Sequence, residues 1–286
     1  MNNNSIIKFT DNTFVGKRLK YLYWRIKNIP CQYRIEKGIR QRKKGIEDSK
    51  YATIQKYKNM HKGERCFIVA TGPSLTMDDL ELLKNEITFG MNSITKVFDN
   101  TTWRPSYYGI QDRQVYEKME HSILQYYAES KNVFVADELA ELYKMPSQFI
   151  RFPYNGNYHL YAGKYGTYTA QFSDNAYEVI YDGYSITYSL IQIAIYMGFS
   201  EICLLGCDCN YPKGEKNHFV ESGFVDKNAH TNPERMLVGY KKAKEYADVH
   251  GIKIINCTRG GMLEVFPRKL LEDCVGKKKL VKENEK

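Results

Sequence analysis

From residue 65 onward, short apolar runs alternate with segments of helical spacing. Arg65-Cys-Phe-Ile-Val-Ala70 predicts a buried strand, Thr71-Gly-Pro-Ser74 a tight turn, and Asp78-Asp-Leu-Glu-Leu-Leu-Lys84 a helix. Ile87-Thr-Phe-Gly-Met91 and Ser106-Tyr-Tyr-Gly-Ile110 predict two more strands, ending at Asn92-Ser93 and Gln111-Asp112-Arg113. A helix is expected over 114–129, with strands at Asn132-Val-Phe-Val-Ala136 and Gln148-Phe-Ile-Arg-Phe152. Ser185–Met197 is apolar on nearly all sides, the pattern of a buried helix, started by Gly183 and Ser185 and stopped by Gly198. Glu201-Ile-Cys-Leu-Leu-Gly206 is a strand that delivers Cys207-Asp-Cys-Asn-Tyr211. Pro233–His250 reads as helix with Gly251 as its C-cap, and Ile252-Lys-Ile-Ile-Asn256 as a last strand before Gly260-Gly261. Alternation of this kind implies an α/β fold, Rossmann-like, with a mostly parallel sheet covered by helices on both faces.

Two stretches stand outside the alternation. Residues 153–184 hold eight tyrosines, interspersed with glycine and asparagine, and keep no helical period. A long aromatic loop inside a domain favours a lid or substrate wall, although tyrosines also pack loops. Residues 12–60 contain Lys17-Arg-Leu-Lys-Tyr-Leu-Tyr-Trp-Arg-Ile-Lys27 and Arg40-Gln-Arg-Lys-Lys44. This pattern suits a basic helical arm over 1–60, either a pair of solvated helices packed on the domain or a surface that meets anionic lipid. The main domain then runs over 61–275, with 276–286 as a basic tail around Lys277-Lys-Lys279.

Charge sharpens this division. Of the net +9 carried by 286 residues, residues 1–64 account for +11, so the remainder is slightly acidic. The main domain is therefore not a nucleic-acid binder on charge grounds. There is no apolar run of roughly 18 residues to span a bilayer and no signal-peptide core near Met1. A cytoplasmic protein is expected, peripheral at the inner face of the membrane if the arm docks there. Cys66, Cys203 and Cys257 lie in apolar runs, where a thiol acts as a small hydrophobe. Cys207 and Cys209 lack a second pair at zinc spacing, so no metal site is expected.

The turn at Thr71, Gly72, Pro73 and Ser74 admits two readings on its own, an anion site with N–H groups and a helix dipole to offer, or a turn that only reverses the chain. There is no G-x-x-x-x-G-K-[ST], no G-x-G-x-x-G, no G-x-S-x-G and no D-x-D in the chain. What remains is a set of polar residues at strand ends: the turn itself, Asn92, Asp112, Ser185 with Thr187, Asp208 and Asn256. His218 and His230 follow on a polar loop. Asp208, just past the end of a buried strand, stands where open α/β sheets place ligands or where a side chain caps its own loop.

Gly72-Pro-Ser-Leu75, Gly90-Met-Asn92, Ala194-Ile-Tyr-Met-Gly-Phe-Ser-Glu-Ile-Cys-Leu-Leu-Gly-Cys-Asp208 and Tyr211 together resemble one superfamily. It joins the archaeal 6-hydroxymethylpterin pyrophosphokinase-like (MptE-like) domains, the motility accessory factors that glycosylate flagellin, and the Campylobacter-type bacterial sialyltransferases. The resemblance covers roughly 65–260 and implies that 61–275 is a nucleotide-binding catalytic domain. It implies that Thr71, Gly72, Pro73, Ser74 and Asn92 hold a cytidine nucleotide, with Gln111 or Asp112 near a further nucleotide contact. Ser185 or Thr187 would meet phosphate and Tyr211 the leaving group. A loop histidine would be the general base, His230 by its spacing before the last helix, with His218 as competitor. Where the sialyltransferases carry an arginine before the helix start, this chain has Asp182-Gly183-Tyr184, which argues against sialic acid but not against another activated sugar.

The function expected on these grounds is metal-independent transfer of a sugar from a nucleotide donor, a CMP-sugar first, to a surface glycan acceptor. No cofactor is expected beyond that co-substrate. The competing enzyme is a pyrophosphokinase of the pterin type, for which Mg²⁺ would need Asp112 and Asp208 as its carboxylate pair. A non-catalytic nucleotide- or glycan-binding module is the third reading.

Overall fold

The computed structural model describes residues 13–130, 132–211, 218–220 and 232–275. It opens with helix α1 (Phe14–Lys43), whose N-cap Thr13 accepts the Gly16 N–H at 3.0 Å. The expected pair of arm helices is instead one helix that passes through Pro30, a residue without the N–H that the ladder needs there. Contacts with the domain hold it. Trp24 stacks on Tyr161 with ring centroids 4.7 Å apart. Buried Arg42 donates to the Glu178 carbonyl at 2.8 Å and pairs with Asp48 at 3.1 Å. A turn at Ser49–Tyr51 and the short α2 (Ala52–Gln55) lead into the sheet.

The strands and helices then alternate as the apolar pattern requires: β1 (Arg65–Val69), α3 (Met77–Leu82), β2 (Thr88–Met91), β3 (Tyr107–Ile110), α4 (Arg113–Ser130), β4 (Val133–Ala136), α5 (Asp137–Leu142) and β5 (Ile150–Phe152). After the tyrosine-rich segment come α7 (Ile186–Tyr196), β8 (Glu201–Leu205), α8 (Asn232–His250), β9 (Lys253–Asn256) and α9 (Leu271–Cys274). Seven strands form one sheet in the order β5-β4-β3-β2-β1-β8-β9, with every adjacent pair parallel. Every residue of β2, β3 and β4 is buried. Consecutive strand residues point to opposite faces, so both faces are covered. All eleven residues of α7 are buried as well.

The tyrosine-rich segment is not a structureless loop. Within it, β6 (Tyr154–Asn155) and β7 (Ile180–Tyr181) pair in a separate two-stranded parallel sheet, with a 3-10 turn at Asn157–His159 and α6 (Ala162–Tyr165) between them. Helix α1 rests on this segment. The chain winds outward from β1 to β5, then returns to the other side of β1 at β8. That reversal is a topological switch point, where the loops leaving β1 and β8 part and open a crevice.

Candidate functional site

A small cavity of about 70 Å³ lies at this crevice, lined by Thr71, Gly72, Asn92, Ser185, Thr187, Asp208, Tyr211 and His218 among others. Residues spread over almost 150 positions thus meet because β1, β2 and β8 end there and α7 starts there. Gly72 is needed for close packing: a Cβ on it would run into the Asp208 carboxylate and the Gly206 carbonyl oxygen. Ser74 donates to Asp208 Oδ2 at 2.8 Å. Burial raises the Asp208 carboxyl above its ordinary range, and the Ser74 hydrogen bonds only partly offset it. Behind Asp208, Gly261 packs on its backbone at φ +72°, and Met262 N–H donates to its carbonyl at 2.7 Å. The Gly260-Gly261 pair therefore turns the chain and fixes Asp208.

Asn92 sits in the left-handed region at φ +49°, a conformation asparagine tolerates better than most residues. Its backbone carbonyl accepts from Tyr108 Oη at 2.6 Å, while its buried Oδ1 has no hydrogen-bond partner among the described residues. That leaves an acceptor at the wall of a polar cavity, able to take a hydrogen bond from a polar group. Ser185 caps α7, its hydroxyl accepting the Thr187 N–H at 3.2 Å. Thr187 is buried and its hydroxyl points to Met91 Sδ at 3.4 Å, so Ser185 is the more available of the two. His218 stands edge-on to the Tyr211 ring at 6.3 Å. Phe219 N–H donates to the Thr71 carbonyl at 2.8 Å, and Ser93 Oγ donates to the Val220 carbonyl, so residues 218–220 strap across the turn.

Other candidates fall elsewhere. Pro73 is exposed on the outside of the turn. Asp112 is exposed and uses Oδ1 to accept the Val115 N–H at 2.9 Å, as a helix cap for α4. It does not line the cavity, so the expected Asp112–Asp208 pair is not assembled there. Gln111 lies beside the cavity, accepting from Ser189 Oγ at 2.7 Å and donating to Asp182 Oδ1 at 3.4 Å. Asn256 is fully buried, with its Nδ2 on the Leu263 carbonyl at 2.7 Å and its Oδ1 accepting Thr258 N–H at 3.0 Å, a structural role. His230 lies outside the described residues, as does the tail 276–286.

Residue-by-residue reading missed a second, larger cavity of about 820 Å³ beside the first. Its walls include Tyr154, His159, Tyr161, Tyr168, Asp182, Tyr184, Lys164 and Arg235. Two chain-adjacent pairs divide between the cavities: Tyr184 and Arg235 line the larger, Ser185 and Met236 the smaller. Buried His159 places Nε2 2.8 Å from Asp182 Oδ2 and Nδ1 3.1 Å from the Thr169 carbonyl, and stacks on Tyr184 at 4.2 Å. Both ring nitrogens face oxygens, so the ring is held between the carboxylate and the carbonyl. Tyr184 is itself left-handed, at φ +66°, and burial pushes its phenol up to about 12. It therefore presents a neutral hydroxyl near neutral pH. The signal in the sequence was Asp182 replacing an expected arginine, with His159 hidden among the tyrosines.

The cysteines are not nucleophiles of this site. Burial raises both Cys207 and Cys209, the latter to about 11, so neither is a thiolate at neutral pH. Cys203, Cys257 and Cys274 cluster with ligand atoms within 4.8 Å of one another, away from both cavities. Among the described residues no fourth ligand completes them, as structural zinc would require.

Among solved structures, the chain is similar to the MAf glycosyltransferase from Magnetospirillum magneticum AMB-1, at 16% identity and a TM-score of 0.42. That match covers 78% of this chain and 38% of the other, so the present chain spans well under half of that protein's length. No curated protein matches the chain. The family model described as "6-hydroxymethylpterin diphosphokinase MptE-like" matches residues 43–214, the stretch that holds the β1 turn, Asn92, the α7 cap and Asp208, and the chain therefore belongs to the MptE-like family.

Proposed function

We propose that this chain is a sialyltransferase-like glycosyltransferase that moves a sugar from a nucleotide-activated donor, a CMP-sugar first, to a surface glycan acceptor. The observation that carries the proposal is that the two cavities are lined by chain-adjacent residues, Tyr184 with Ser185 and Arg235 with Met236. A small polar recess at the start of α7 suits a phosphate, and a tyrosine-walled chamber beside it suits the face of a sugar ring. In this reading the phosphate meets the α7 N-terminus at Ser185, and the sugar lies toward Tyr184. The acceptor oxygen attacks the anomeric carbon, the bond from that carbon to the phosphate oxygen breaks, and its electron pair stays on the phosphate. The α7 N–H groups stabilise that charge as it develops. The acceptor proton goes to a histidine: His218 is in place at the recess, with His230 as the alternative.

The family's description names a diphosphokinase, and a Mg²⁺ ion for that chemistry needs several hard oxygen ligands. Asp208 is the one carboxylate at the small cavity among the described residues, and it is already bonded by Ser74. The described residues at the cavity do not by themselves fit such an ion, which favours the glycosyl-transfer reading. The test is incubation with CMP-, UDP- and GDP-sugars, with released nucleotide read by mass spectrometry, alongside melting shifts with CMP and with ATP plus Mg²⁺. Sugar-nucleotide turnover and a metal-independent CMP shift are expected. Formation of AMP and a pterin diphosphate, with no sugar nucleotide consumed, would overturn the proposal.

A further inference from the structure

Helix α1 presents an apolar stripe that no described part of the chain covers. Val15, Leu19, Leu22, Ile26, Ile29 and Tyr33 recur at alternating steps of four and three, and each is more than half exposed. That spacing keeps them within an arc of about 80° along about 27 Å of helix. The opposite face meets the body of the protein: Trp24 against Tyr161, Gln32 beside Asn157, and Arg42 on the Glu178 carbonyl. The stripe therefore lies on the side of α1 away from these contacts, with Leu22, Ile26 and Ile29 at its edge toward the domain, and no described residue buries it.

The charges beside the stripe say what covers it. The helix holds ten lysines and arginines against one glutamate. By helical position, Arg18 and Arg25 run along one flank of the stripe, and Lys27, Arg34 and Lys37 along the other. Two copies of this helix laid seam to seam would bring those cations together. An anionic lipid surface meets them with opposite charge and takes the apolar row below its headgroups. We propose that α1 lies flat on a bilayer containing anionic lipid, with Leu19, Leu22, Ile26 and Ile29 immersed.

A groove of about 440 Å³ fits this orientation. Leu22, Ile26 and Ile29 form its α1 side, and it shares Asn157 and Leu160 with the tyrosine-walled chamber. The lipid-facing stripe is thus connected to the chamber wall, which suits an acceptor carried on a lipid tail. That last clause rests on the glycosyltransferase reading; the docking does not.

The experiment is flotation of the full chain with vesicles of phosphatidylcholine alone or mixed with phosphatidylglycerol, at low and high salt. Binding is expected only to the mixed vesicles, and weaker at high salt. Leu22→Asp with Ile26→Asp should reduce it at least tenfold. Arg18→Gln, Arg25→Gln and Lys37→Gln together should reduce it about fivefold per cation removed. An unchanged melting temperature in both variants separates lost docking from misfolding. Absence of binding to anionic vesicles, or binding that neither variant weakens, would overturn the proposal. So would a lipid-free dimer that the leucine–isoleucine variant disperses while vesicle binding persists. Failure of the transferase reading would appear instead as absent sugar transfer with vesicle binding intact.

Discussion

Replacing Gly72 by alanine puts a methyl group where the Asp208 carboxylate and the Gly206 carbonyl oxygen already stand. The carboxylate can swing aside if the Ser74 hydroxyl, at 2.8 Å, releases it. The carbonyl cannot, because it accepts the Gly72 N–H at 2.8 Å and belongs to a residue held at φ +65°. Alanine therefore pushes the Thr71–Ser74 turn away from β8, and both hydrogen bonds are at stake. A typical bond contributes about 1 kcal/mol, and a buried carboxylate stripped of its donor costs about 1–3 kcal/mol. The expected destabilisation is roughly 2–4 kcal/mol, a fall in melting temperature of roughly 3–7 °C for a chain of this size. Calorimetry on the ligand-free protein measures it. In the double variant Gly72→Ala/Asp208→Ala one of the two collisions is gone, so the double should lose less than the sum of the singles, by more than about 0.5 kcal/mol. If Gly72 served only to admit a phosphate, the ligand-free Gly72→Ala protein would melt with the parent. That result, or strict additivity in the cycle, would refute the packing argument.

Asp208→Asn keeps an acceptor for Ser74 while removing the buried charge. Burial raises the folded pKa of Asp208 above its unfolded value of 3.8, so its favourable contribution is full below that pH and is lost as pH rises through the folded pKa. Melting curves across pH should therefore show the asparagine variant gaining on the parent as pH climbs from acid to neutral; a flat difference would contradict this. Arg259 makes a two-pronged pair with fully buried Asp79, which also accepts the Thr76 N–H at 2.9 Å as part of the α3 capping box. Arg259→Ala leaves that carboxylate buried with its backbone donor alone. Denaturant unfolding should show a loss of roughly 2–3 kcal/mol, largely restored by the further change Asp79→Asn.

The seven strands of the large sheet were legible because a parallel sheet covered on both faces demands uninterrupted apolar runs, and Cys66–Val69, Val133–Ala136 and Ile202–Leu205 have them. The recess at the strand ends was legible for a related reason: strand ends at a switch point converge whatever side chains they carry, so Thr71, Asn92, Ser185 and Asp208 meet. The role of Gly72 was not, since what it avoids is a carboxylate 136 positions away in the chain. The tyrosine-rich segment hid its order because β6 and β7 are two residues each, too short for any period to register. The two basic runs of the arm, Lys17–Lys27 and Arg40–Lys44, suited a pair of helices; they lie instead on one helix that continues through Pro30 and is held on the domain by Trp24 and Arg42. Asp112 looked like a ligand from its position after β3, yet a carboxylate three residues before an N–H at a helix start is better placed to cap than to coordinate.

The arm and the tyrosine-rich segment form one mechanical unit. Trp24 stacks on Tyr161, Gln32 Oε1 accepts from Asn157 Nδ2 at 3.4 Å, Arg42 holds the Glu178 carbonyl, and the Asp48 N–H donates to Tyr177 Oη at 2.8 Å. These contacts span the segment from its first 3-10 turn to just before β7. Two of the residues held, Asn157 and Tyr161, are themselves walls of the larger chamber. The recess, by contrast, is built from strand ends and the start of α7, which the sheet fixes without help from the arm. Detaching α1 should therefore loosen the chamber and leave the recess intact. If the transfer proposal holds, the damage would fall on binding in the chamber, while stabilisation by added CMP survives. A surface that seats α1 would act in the opposite sense, by holding the segment's supports in place before the acceptor arrives.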